Sequence, residues 1–268
     1  MEIVRGDYFL LNGNFVESQK IYDYLVSGSK QVYEVLRIIN SKAIFLGDHI
    51  DRLKLSVSGL GKKIPEELVS SVKRGISEIA DKNKIKEGNV KILVQFSNKI
   101  ETFIYFIPHS YPQVNDYIEG VEVGLFNTVR ENPNVKAVSL TRGKINSVIK
   151  ERNVYEVLLV DDLGNVTEGS RTNVFFIDNL NNVVTSPDDS VLKGITRKYA
   201  IQVCSKYGIP LIFKKIQVSE LANYQSVFLT GTSPKILPVK KIENITFDVN
   251  SPVLGRIMED YESILSSF

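Results

Sequence analysis

The chain has 268 residues, 43% of them hydrophobic and 24% charged, with a formal net charge of +2 at pH 7. This is the composition of a soluble globular protein with material for one large domain or two smaller ones. It excludes the basic footprint of a nucleic-acid binder, and no apolar run approaches the ~20 residues of a membrane span. The first residues lack a signal-peptide pattern, so we expect a cytoplasmic protein without nucleic-acid or membrane partners.

Few residues of this chain suit a disulfide or a metal site. It has a single cysteine, Cys204, and two histidines. One cysteine excludes an intramolecular disulfide, and so few thiol and imidazole groups argue against a His/Cys metal centre, so we predict no metal. Cys204 falls on the apolar stripe of a predicted helix, where a buried thiol is the favoured interpretation.

In the first part of the chain, short strands alternate with helices. Runs of β-forming residues broken by Asn-Gly and Asn-Ser turns indicate the strands, and apolar residues at helical spacing indicate the helices. We predict strands at 8–11, 31–40, 42–47, 89–97 and 101–108, and helices at 49–61 and 65–80. The last two strands have the pattern of a hairpin in an antiparallel sheet.

The segment 109–120 mixes proline, glycine and polar residues without periodicity. We interpret it as the connection between a small domain, 1–118, and a larger domain, 119–268. In the larger domain we predict strands at 121–127, 134–138, 155–161, 173–178, 210–214 and 226–229, and helices at 139–153, 196–207 and 252–268. Thr196 is the expected N-cap of the second of these helices, and Gly208 can end it.

Two short motifs are candidates for holding an anion. Residues 194–197 (Gly-Ile-Thr-Arg) lie at a predicted helix start, whose free N–H groups and dipole favour negative charge. Residues 231–233 (Gly-Thr-Ser) follow the apolar strand VFLT and add two hydroxyls. Taken alone, each motif is more simply explained as structure, the first as a threonine N-cap after a glycine turn and the second as a polar turn.

Two charged residues are further candidates. Arg52, in the segment HIDRL, offers a planar fork that suits phosphate oxygens, although a surface arginine on an amphipathic helix is the simpler explanation. In the same segment His49 is interpreted as a partly buried structural histidine. Glu168 follows a strand and a turn, and by itself it would be a surface acid. A carboxylate facing a pyridine nitrogen, however, keeps that nitrogen protonated and makes the ring a stronger electron sink.

A pyridoxal enzyme also needs a lysine that forms a Schiff base. The candidates before Glu168 are Lys136, Lys144 and Lys150. Lys144 and Lys150 fall on a predicted helix, where long basic side chains usually reach solvent. Lys136 lies in NVKAV, and strand alternation sends its side chain opposite to its two neighbours, so it ranks first.

Taken together, these segments resemble the class IV aminotransferases, the pyridoxal-phosphate enzymes of fold type IV. This family includes branched-chain and D-amino-acid aminotransferases and aminodeoxychorismate lyase. The matching segments follow the family's order and cover most of the chain: YEVLR (33–37), HIDRL (49–53), Lys136, YEVLLVD (155–161), TEGSRTNVFF (167–176), LKGITR (192–197) and GTSPKILPV (231–239). The resemblance implies a mixed α/β fold, in which a small open-sheet domain precedes a larger domain with a pseudo-barrel sheet and flanking helices.

The resemblance also implies roles for individual residues. Lys136 would form the Schiff base with pyridoxal 5′-phosphate and then move the proton between Cα and the cofactor, and Glu168 would pair with the pyridine nitrogen. The implied cofactor-binding residues are Arg52, Glu168, Leu192, Gly194, Ile195, Thr196 and Thr232, of which Arg52, Ile195, Thr196 and Thr232 would hold the phosphate and Leu192 would pack near the ring. Tyr33, Arg37 and Ser233 match positions on the substrate side. The family further implies a homodimer.

The chain departs from the family in three places. The Asp-Arg-Gly turn before the first active-site strand is absent, and Leu140 falls where branched-chain enzymes carry a tyrosine that touches the cofactor. The Arg-x-His clamp of D-amino-acid enzymes, expected near 96–103, is missing. We therefore predict transamination between a D-amino acid or branched-chain type of amino acid and a 2-oxo acid, with a lyase that releases pyruvate as the alternative.

Overall fold

The computed structural model describes residues 3–129, 132–137 and 141–268. By their internal contacts the residues form two compact units, Met1–Ser110 with Val135–Val138 and Phe268, and Tyr111–Asn134 with Ser139–Ser267. By these contacts the segment that carries Lys136 belongs to the first unit, and the domain boundary at 118 stays a prediction. Ser139 and Leu140, in the segment where the family's tyrosine was sought, lie outside the described residues.

The first unit is built on an antiparallel sheet with the strand order β2-β1-β6-β5-β3-β4. Its strands are β1 (Arg5–Leu11), β2 (Asn14–Glu17), β3 (Lys30–Ile39), β4 (Lys42–Ala43), β5 (Gly88–Phe96) and β6 (Ile100–Ile107), and its helices are α1 (Leu46–Gly59) and α2 (Glu66–Asn83), with a 3-10 helix at Ser18–Asp23. The predicted hairpin of β5 and β6 is confirmed, with Lys91 opposite Tyr105.

Successive side chains of β3 point to opposite faces of the sheet. Val32, Leu36 and Ile38 pack with apolar residues of α1 and α2 in one buried cluster. Tyr33 points to the opposite face, where it packs with Leu93 and other residues of β1, β5 and β6. A strand that is buried on both faces usually consists of apolar residues only. Charged residues within β3 are therefore candidates for a specific role.

The strand predicted at 42–47 is wrong beyond its first two residues. β4 ends at Ala43, and α1 begins at Leu46, before the predicted helix start. The N-cap of α1 is Phe45, whose φ of +53° is left-handed and breaks the extended run. The ring of Phe45 packs edge-on against Phe268, with the centroids 4.9 Å apart. This apolar contact holds a conformation that a non-glycine residue rarely adopts.

The second unit is built on a larger mixed sheet with the strand order β12-β11-β10-β14-β15-β7-β8-β9-β13, and β16 pairs with β15. Its strands are β7 (Val121–Asn127), β8 (Glu156–Val160), β9 (Asn165–Gly169), β10 (Asn173–Asp178), β11 (Val183–Thr185), β12 (Leu211–Phe213), β13 (Ile216–Gln217), β14 (Tyr224–Gly231), β15 (Lys235–Ile242) and β16 (Ile245–Thr246). Its helices are α3 (Val114–Glu119), α4 (Arg142–Arg152), α5 (Ile195–Lys206) and α6 (Pro252–Ser266), with a 3-10 helix at Val218–Asn223.

This sheet curls on itself. β9 and β10 are distant in the strand order, yet only residues 170–172 join them. The four Cα steps from Gly169 to Asn173 span at most about 14 Å, so β9 and β10 must approach each other. The enclosed face is filled by a cluster that includes Val160, Phe176, Leu229 and Leu237. The predicted mixed α/β class is thereby confirmed.

Four further local predictions need correction. The segment 109–120 is not wholly irregular, because it contains α3, which a capping box at Gln113 begins. The strand predicted at 134–138 is reduced to a single bridge between Ala137 and Val32, with Val138 outside the described residues. Glu168 lies within β9 rather than in a turn. The N-cap of α5 is Gly194 instead of Thr196.

Within the described ranges, no helix is both long and apolar enough to cross a membrane. The same ranges contain no group of three His, Cys, Asp or Glu side chains placed to hold a metal ion. Cys204 has no exposed surface, and burial raises the pKa of its thiol to about 11. A thiol of this kind remains protonated at neutral pH, in keeping with its predicted place on the apolar stripe of α5.

Candidate functional site

The carboxylate of Glu168 is buried and held in one orientation. Glu168 is 3% exposed near the end of β9. Its Oε2 accepts a hydrogen bond from the Leu192 backbone N–H at 3.0 Å and another from Asn173 Nδ2 at 3.3 Å. Because both bonds go to one oxygen, they fix the rotation of the carboxylate. These two bonds hold the carboxyl group of Glu168 in one place inside the second unit.

Asn173 is a residue of this site that the sequence did not single out. The same Nδ2 atom donates to the Leu192 carbonyl oxygen at 2.8 Å, so the amide joins β9, β10 and the segment before α5. In the sequence, Asn173 is a polar residue at the start of the strand NVFFID. Asparagine is common in the turns that precede strands, so its presence there did not indicate a functional residue.

Gly194 is required by close packing at the start of α5. A Cβ atom on Gly194 would lie 2.1 Å from Asn173 Oδ1, well inside the distance that real Cβ atoms tolerate. Its φ of −63° is ordinary, so the requirement is steric and not conformational. The helix that follows has no side-chain N-cap, and its first N–H groups keep their capacity to hold an anion.

Gly194→Ala is expected to lower the free energy of unfolding by about 1–3 kcal/mol, because Asn173 must move and weaken its bonds to Glu168 and Leu192. Urea unfolding measures this loss. Gly255→Ala is the matched control, since Gly255 lies in α6 with no atom within 4 Å of an added Cβ. It should be neutral or stabilising by up to about 1 kcal/mol. Equal losses in the two variants would contradict the steric account.

Thr196 and Arg197, in the first turn of α5, face packed surroundings. The Thr196 hydroxyl lies 3.3 Å from the Tyr261 hydroxyl of α6, and Thr196 is 4% exposed. Arg197 donates to Asp188 Oδ1 at 2.6 Å and to the Ser186 carbonyl oxygen at 3.0 Å. Arg197 therefore connects the segment 186–188 to α5. Within the motif 194–197, its role is structural.

The second anion motif lies at the turn between β14 and β15. Gly231 ends β14 opposite Lys235, and Thr232 and Ser233 are half-buried. Asn173 pairs with Thr230 across the two strands, so the turn follows directly after the strand partner of Asn173. A Cβ on Gly231 would also lie 3.2 Å from Thr172 Cγ2. The sheet thus brings this turn, β9 and the start of α5 to one end of the second unit.

These residues fit a phosphorylated pyridine. Such a ring needs a carboxylate for its nitrogen, a role that Glu168 would fill, and N–H and hydroxyl donors for its phosphate, which the start of α5 and Thr232 would offer. The close fit of Gly194 against Asn173 joins the two halves of this arrangement. Leu192 and Ile195, each 7% exposed, add apolar surface beside them.

Lys136, in the first unit, is held by its main chain. The Tyr33 N–H donates to the Lys136 carbonyl oxygen at 2.9 Å, and the Lys136 N–H donates to Ser56 Oγ at 3.2 Å. Val135 and Ala137 pack on the apolar cluster below α1. The Lys136 Nζ instead lies 5.3 Å from the centroid of the Tyr33 ring. The alternation that we inferred from NVKAV therefore holds without a regular strand.

Beneath this segment, Glu34, His49 and Arg52 form a buried charged cluster. Glu34 has no exposed surface and accepts from Arg52 Nε at 2.7 Å, from Arg52 Nη2 at 2.6 Å and from His49 Nδ1 at 2.9 Å. Burial alone would raise the pKa of Glu34, but the charge and hydrogen bonds of Arg52, with those of His49, hold that pKa at about 2. Glu34 is therefore ionised, and His49 Nδ1 carries the hydrogen that it shares.

His49 itself is neutral near pH 7. Burial lowers its pKa below the ordinary 6.5, the bond to Glu34 opposes that change, and the positive charges of Arg52 and Lys136 reinforce it. His49 was interpreted as a structural histidine, and the structure shows its partner to be Glu34. Glu34 was missed in the sequence, although a glutamate on the core-facing side of an apolar strand was a usable signal.

The contacts of Arg52 refine what it can bind. A guanidinium has two edges that can make paired hydrogen bonds, and Glu34 engages the edge formed by Nε and Nη2. Glu34 therefore engages part of the planar fork, and the binding of a phosphate by Arg52 stays a prediction. Arg52 is 7% exposed, which does not fit the alternative of a surface arginine.

The opposite face of the sheet carries the two residues predicted on the substrate side. Tyr33 and Arg37 point to this face from β3, and Lys91 points to it from β5. Lys91 is 6% exposed, and its Nζ lies 4.9 Å from the Tyr33 ring centroid. Lys91 was not predicted, because a lysine within a strand ordinarily indicates a solvated edge.

Known proteins resemble this chain in sequence over most of its length. Residues 31–242 match the sequence profile of the family described as Amino-transferase class IV. A probable branched-chain-amino-acid aminotransferase of Thermotoga maritima is 30% identical over 242 residues, covering 86% of this chain and 85% of that protein. The D-alanine aminotransferase of Bacillus licheniformis is 27% identical over 276 residues, covering 96% of this chain and 95% of that protein.

A solved structure extends the likeness to the fold. The T.th. branched-chain amino acid aminotransferase, solved with pyridoxamine 5′-phosphate, superposes with a TM-score of 0.83. The alignment covers 99% of this chain and 96% of that one, at 20% sequence identity. At this identity the likeness concerns the fold alone.

Proposed function

Because the chain belongs to the class IV aminotransferases, which use pyridoxal 5′-phosphate, we propose that it moves an amino group between an amino acid and a 2-oxo acid. The observation that carries this proposal is the buried Glu168 carboxylate, with its Oε2 held by Asn173 and Leu192 beside the start of α5. We further propose that the amino donor is of the branched-chain or D-amino-acid type, as in the relatives.

Each predicted residue has a role in this proposal. When bound, pyridoxal phosphate supplies a ring that stabilises negative charge at the Cα of the substrate. Lys136 would attach the cofactor through its Nζ and would then move the proton between the substrate Cα and the cofactor. Glu168 would keep the pyridine nitrogen protonated. The N–H groups of Ile195 and Thr196, together with Thr232 and Arg52, would hold the phosphate. Gly194 would permit its approach, and Leu192 would pack near the ring.

We propose that the substrate carboxylate binds at the face of the first sheet that carries Tyr33, Arg37 and Lys91. Arg37 and Lys91 bring positive charge there, and the Tyr33 hydroxyl adds a donor. Ser233, in the turn after β14, offers a further hydroxyl in the second unit. These assignments predict that Arg37→Met raises KM for both substrates more than it changes kcat.

A panel of D- and L-amino donors tests the function. The purified protein, with added pyridoxal phosphate, is supplied with each donor and with 2-oxoglutarate or pyruvate, and the 2-oxo acid product is quantified. Transfer that requires an acceptor supports the proposal. Pyruvate release without an acceptor would instead support the lyase alternative, and no reaction with any donor would contradict both.

Glu168→Gln is expected to lower kcat by roughly 10- to 10³-fold, because loss of the facing charge lowers the pKa of the pyridine nitrogen by about one to three units. Steady-state kinetics, with cofactor content measured in parallel, checks this result. Glu151→Gln is the control, since Glu151 is exposed on α4. A Glu168→Gln variant with full kcat would contradict the assigned partner of the pyridine nitrogen.

We also propose a cytoplasmic homodimer, as the family resemblance implies. Sedimentation equilibrium of the purified protein tests the assembly, and a mass of one chain, 30.2 kDa, across micromolar concentrations would contradict it. Cell fractionation tests the location.

A further inference from the structure

Glu156, at the start of β8, is a buried carboxylate that the proposed mechanism does not use. It is 1% exposed. Its Oε1 accepts from the Ser170 hydroxyl and from the Arg171 N–H, the latter at 3.0 Å, and its Oε2 accepts from Thr172 Oγ1 at 2.8 Å. All three donors belong to the turn that joins β9 to β10, so one side chain holds the whole turn.

These bonds account for a carboxyl side chain being buried in this position. A buried carboxylate is costly unless its oxygens are fully hydrogen-bonded, and the turn supplies donors to both of them. Its ion-pair partner is Arg171, whose Nε is 3.8 Å away and whose side chain is half exposed. The contribution of this pair is therefore small, and the hydrogen bonds hold the arrangement together.

The turn is tightly packed around Thr172. The Gly169 N–H donates to the Thr172 carbonyl oxygen at 2.9 Å, and a Cβ on Gly169 would lie 2.1 Å from Thr172 Oγ1. Thr172 thus has two contacts of different kinds. Its hydroxyl bonds to Glu156, while its methyl group Cγ2 would lie 3.2 Å from a Cβ on Gly231.

This second contact links the turn to the phosphate motif. Gly231 precedes Thr232, and the methyl group of Thr172 packs where Gly231 leaves β14. Rotation of Thr172 about its Cα–Cβ bond would move the methyl group away from Gly231. The bond to Glu156 prevents that rotation.

We propose that Glu156 is a positioning residue for the phosphate-binding turn, acting through Thr172 on Gly231 and Thr232. The inference rests on the proposed function, in which Thr232 binds the phosphate of the cofactor. Glu156 touches neither cofactor nor substrate in this account. Its effect is therefore selective for the phosphate, whereas a general loss of structure would affect the whole cofactor.

The test compares pyridoxal 5′-phosphate with pyridoxal, which lacks the phosphate, on full-length protein freed of cofactor. Thr172→Val keeps the volume and the methyl group but removes the bond to Glu156. We expect it to weaken binding of pyridoxal 5′-phosphate by about tenfold and binding of pyridoxal by no more than about twofold. Thr172→Ser keeps the hydroxyl and should retain the wild-type preference.

Equal weakening toward both compounds, or no weakening in Thr172→Val, would overturn the inference. So would identical behaviour of Thr172→Val and Thr172→Ser. If Thr172→Val does not fold, Glu156→Gln replaces it, because it exchanges one acceptor for a donor, and the same selective loss is expected. A wild-type protein that binds neither compound would instead contradict the proposed function, so the two failures are distinguishable.

Discussion

Lys136→Ala is expected to abolish covalent attachment of pyridoxal phosphate and to lower kcat by about 10²- to 10⁴-fold. The reason is that the Nζ atom serves both as the nucleophile and as the group that moves the Cα proton. The fold should survive, because the described bonds to Tyr33 and Ser56 use the main chain of residue 136. Borohydride reduction followed by peptide mass spectrometry locates the modified lysine, and steady-state kinetics gives kcat.

Lys144→Ala is the matched control for this prediction. Lys144 was the competing candidate in the sequence, and like Lys150 it is exposed on α4. Its removal should leave cofactor attachment and kcat unchanged. Cofactor fixed by borohydride in the Lys136→Ala variant at the same yield as in the wild type would show that another lysine does this work, and the proposed mechanism would fail.

Glu34→Ala is expected to lower the free energy of unfolding by about 3–5 kcal/mol, because it leaves Arg52 as an uncompensated buried charge. Urea unfolding at neutral pH measures the loss. Glu78→Ala, on the exposed side of α2, is the control and should change stability by less than about 0.5 kcal/mol. Losses of similar size in the two variants would be incompatible with the cluster described for Glu34, His49 and Arg52.

The same cluster predicts a dependence of stability on pH. The pKa of Glu34 is about 2 in the folded protein, below its ordinary 4.5, so the folded state binds fewer protons in this interval. Its contribution, about 3 kcal/mol, is fully present above pH 4.5 and is lost as pH falls toward 2. Burial likewise lowers the pKa of His49 below 6.5, so its contribution has the same sign and begins to fall below pH 6.5.

Urea unfolding of the wild type and of Glu34→Gln between pH 7 and pH 2.5 checks this dependence. The difference between the two proteins should shrink as the pH falls below 4.5, because Glu34 then takes up a proton in the unfolded wild type before it does so in the folded one. A difference that stays constant through this interval would show that Glu34 titrates at its ordinary pKa and that Arg52 does not hold it.

The sequence indicated several residues of the candidate site, but few of the residues that hydrogen-bond to them. Local signals marked Lys136, Glu168 and the start of α5, because alternation and helix-start chemistry act over a few neighbouring residues. The contacts that orient them join residues distant in the chain, such as Asn173 with Leu192 and Glu34 with Arg52. No local pattern encodes the partner of a buried polar group, so these contacts were beyond sequence reasoning.

The bounds of the strands likewise depend partly on local sequence and partly on contacts between distant residues. The strand at 121–127 and the hairpin of β5 and β6 follow from periodicity and turn residues, and the structure reproduces them. The strand predicted at 42–47 failed because the ring of Phe45 packs on Phe268, at the far end of the chain. There a tertiary contact outweighed a strong local preference for extended structure.

By itself, the sequence determined the family, the mixed α/β class and the order of the segments that resemble a pyridoxal-phosphate site. The tertiary structure alone decided that Glu168 is held by Asn173 and Leu192, that Arg52 gives one edge to Glu34, and that Glu156 holds the turn at 170–172. The physical reason is burial. A residue type and its spacing indicate which chemistry is available, but a charge can remain inside a protein only where the fold brings it donors from distant strands and helices.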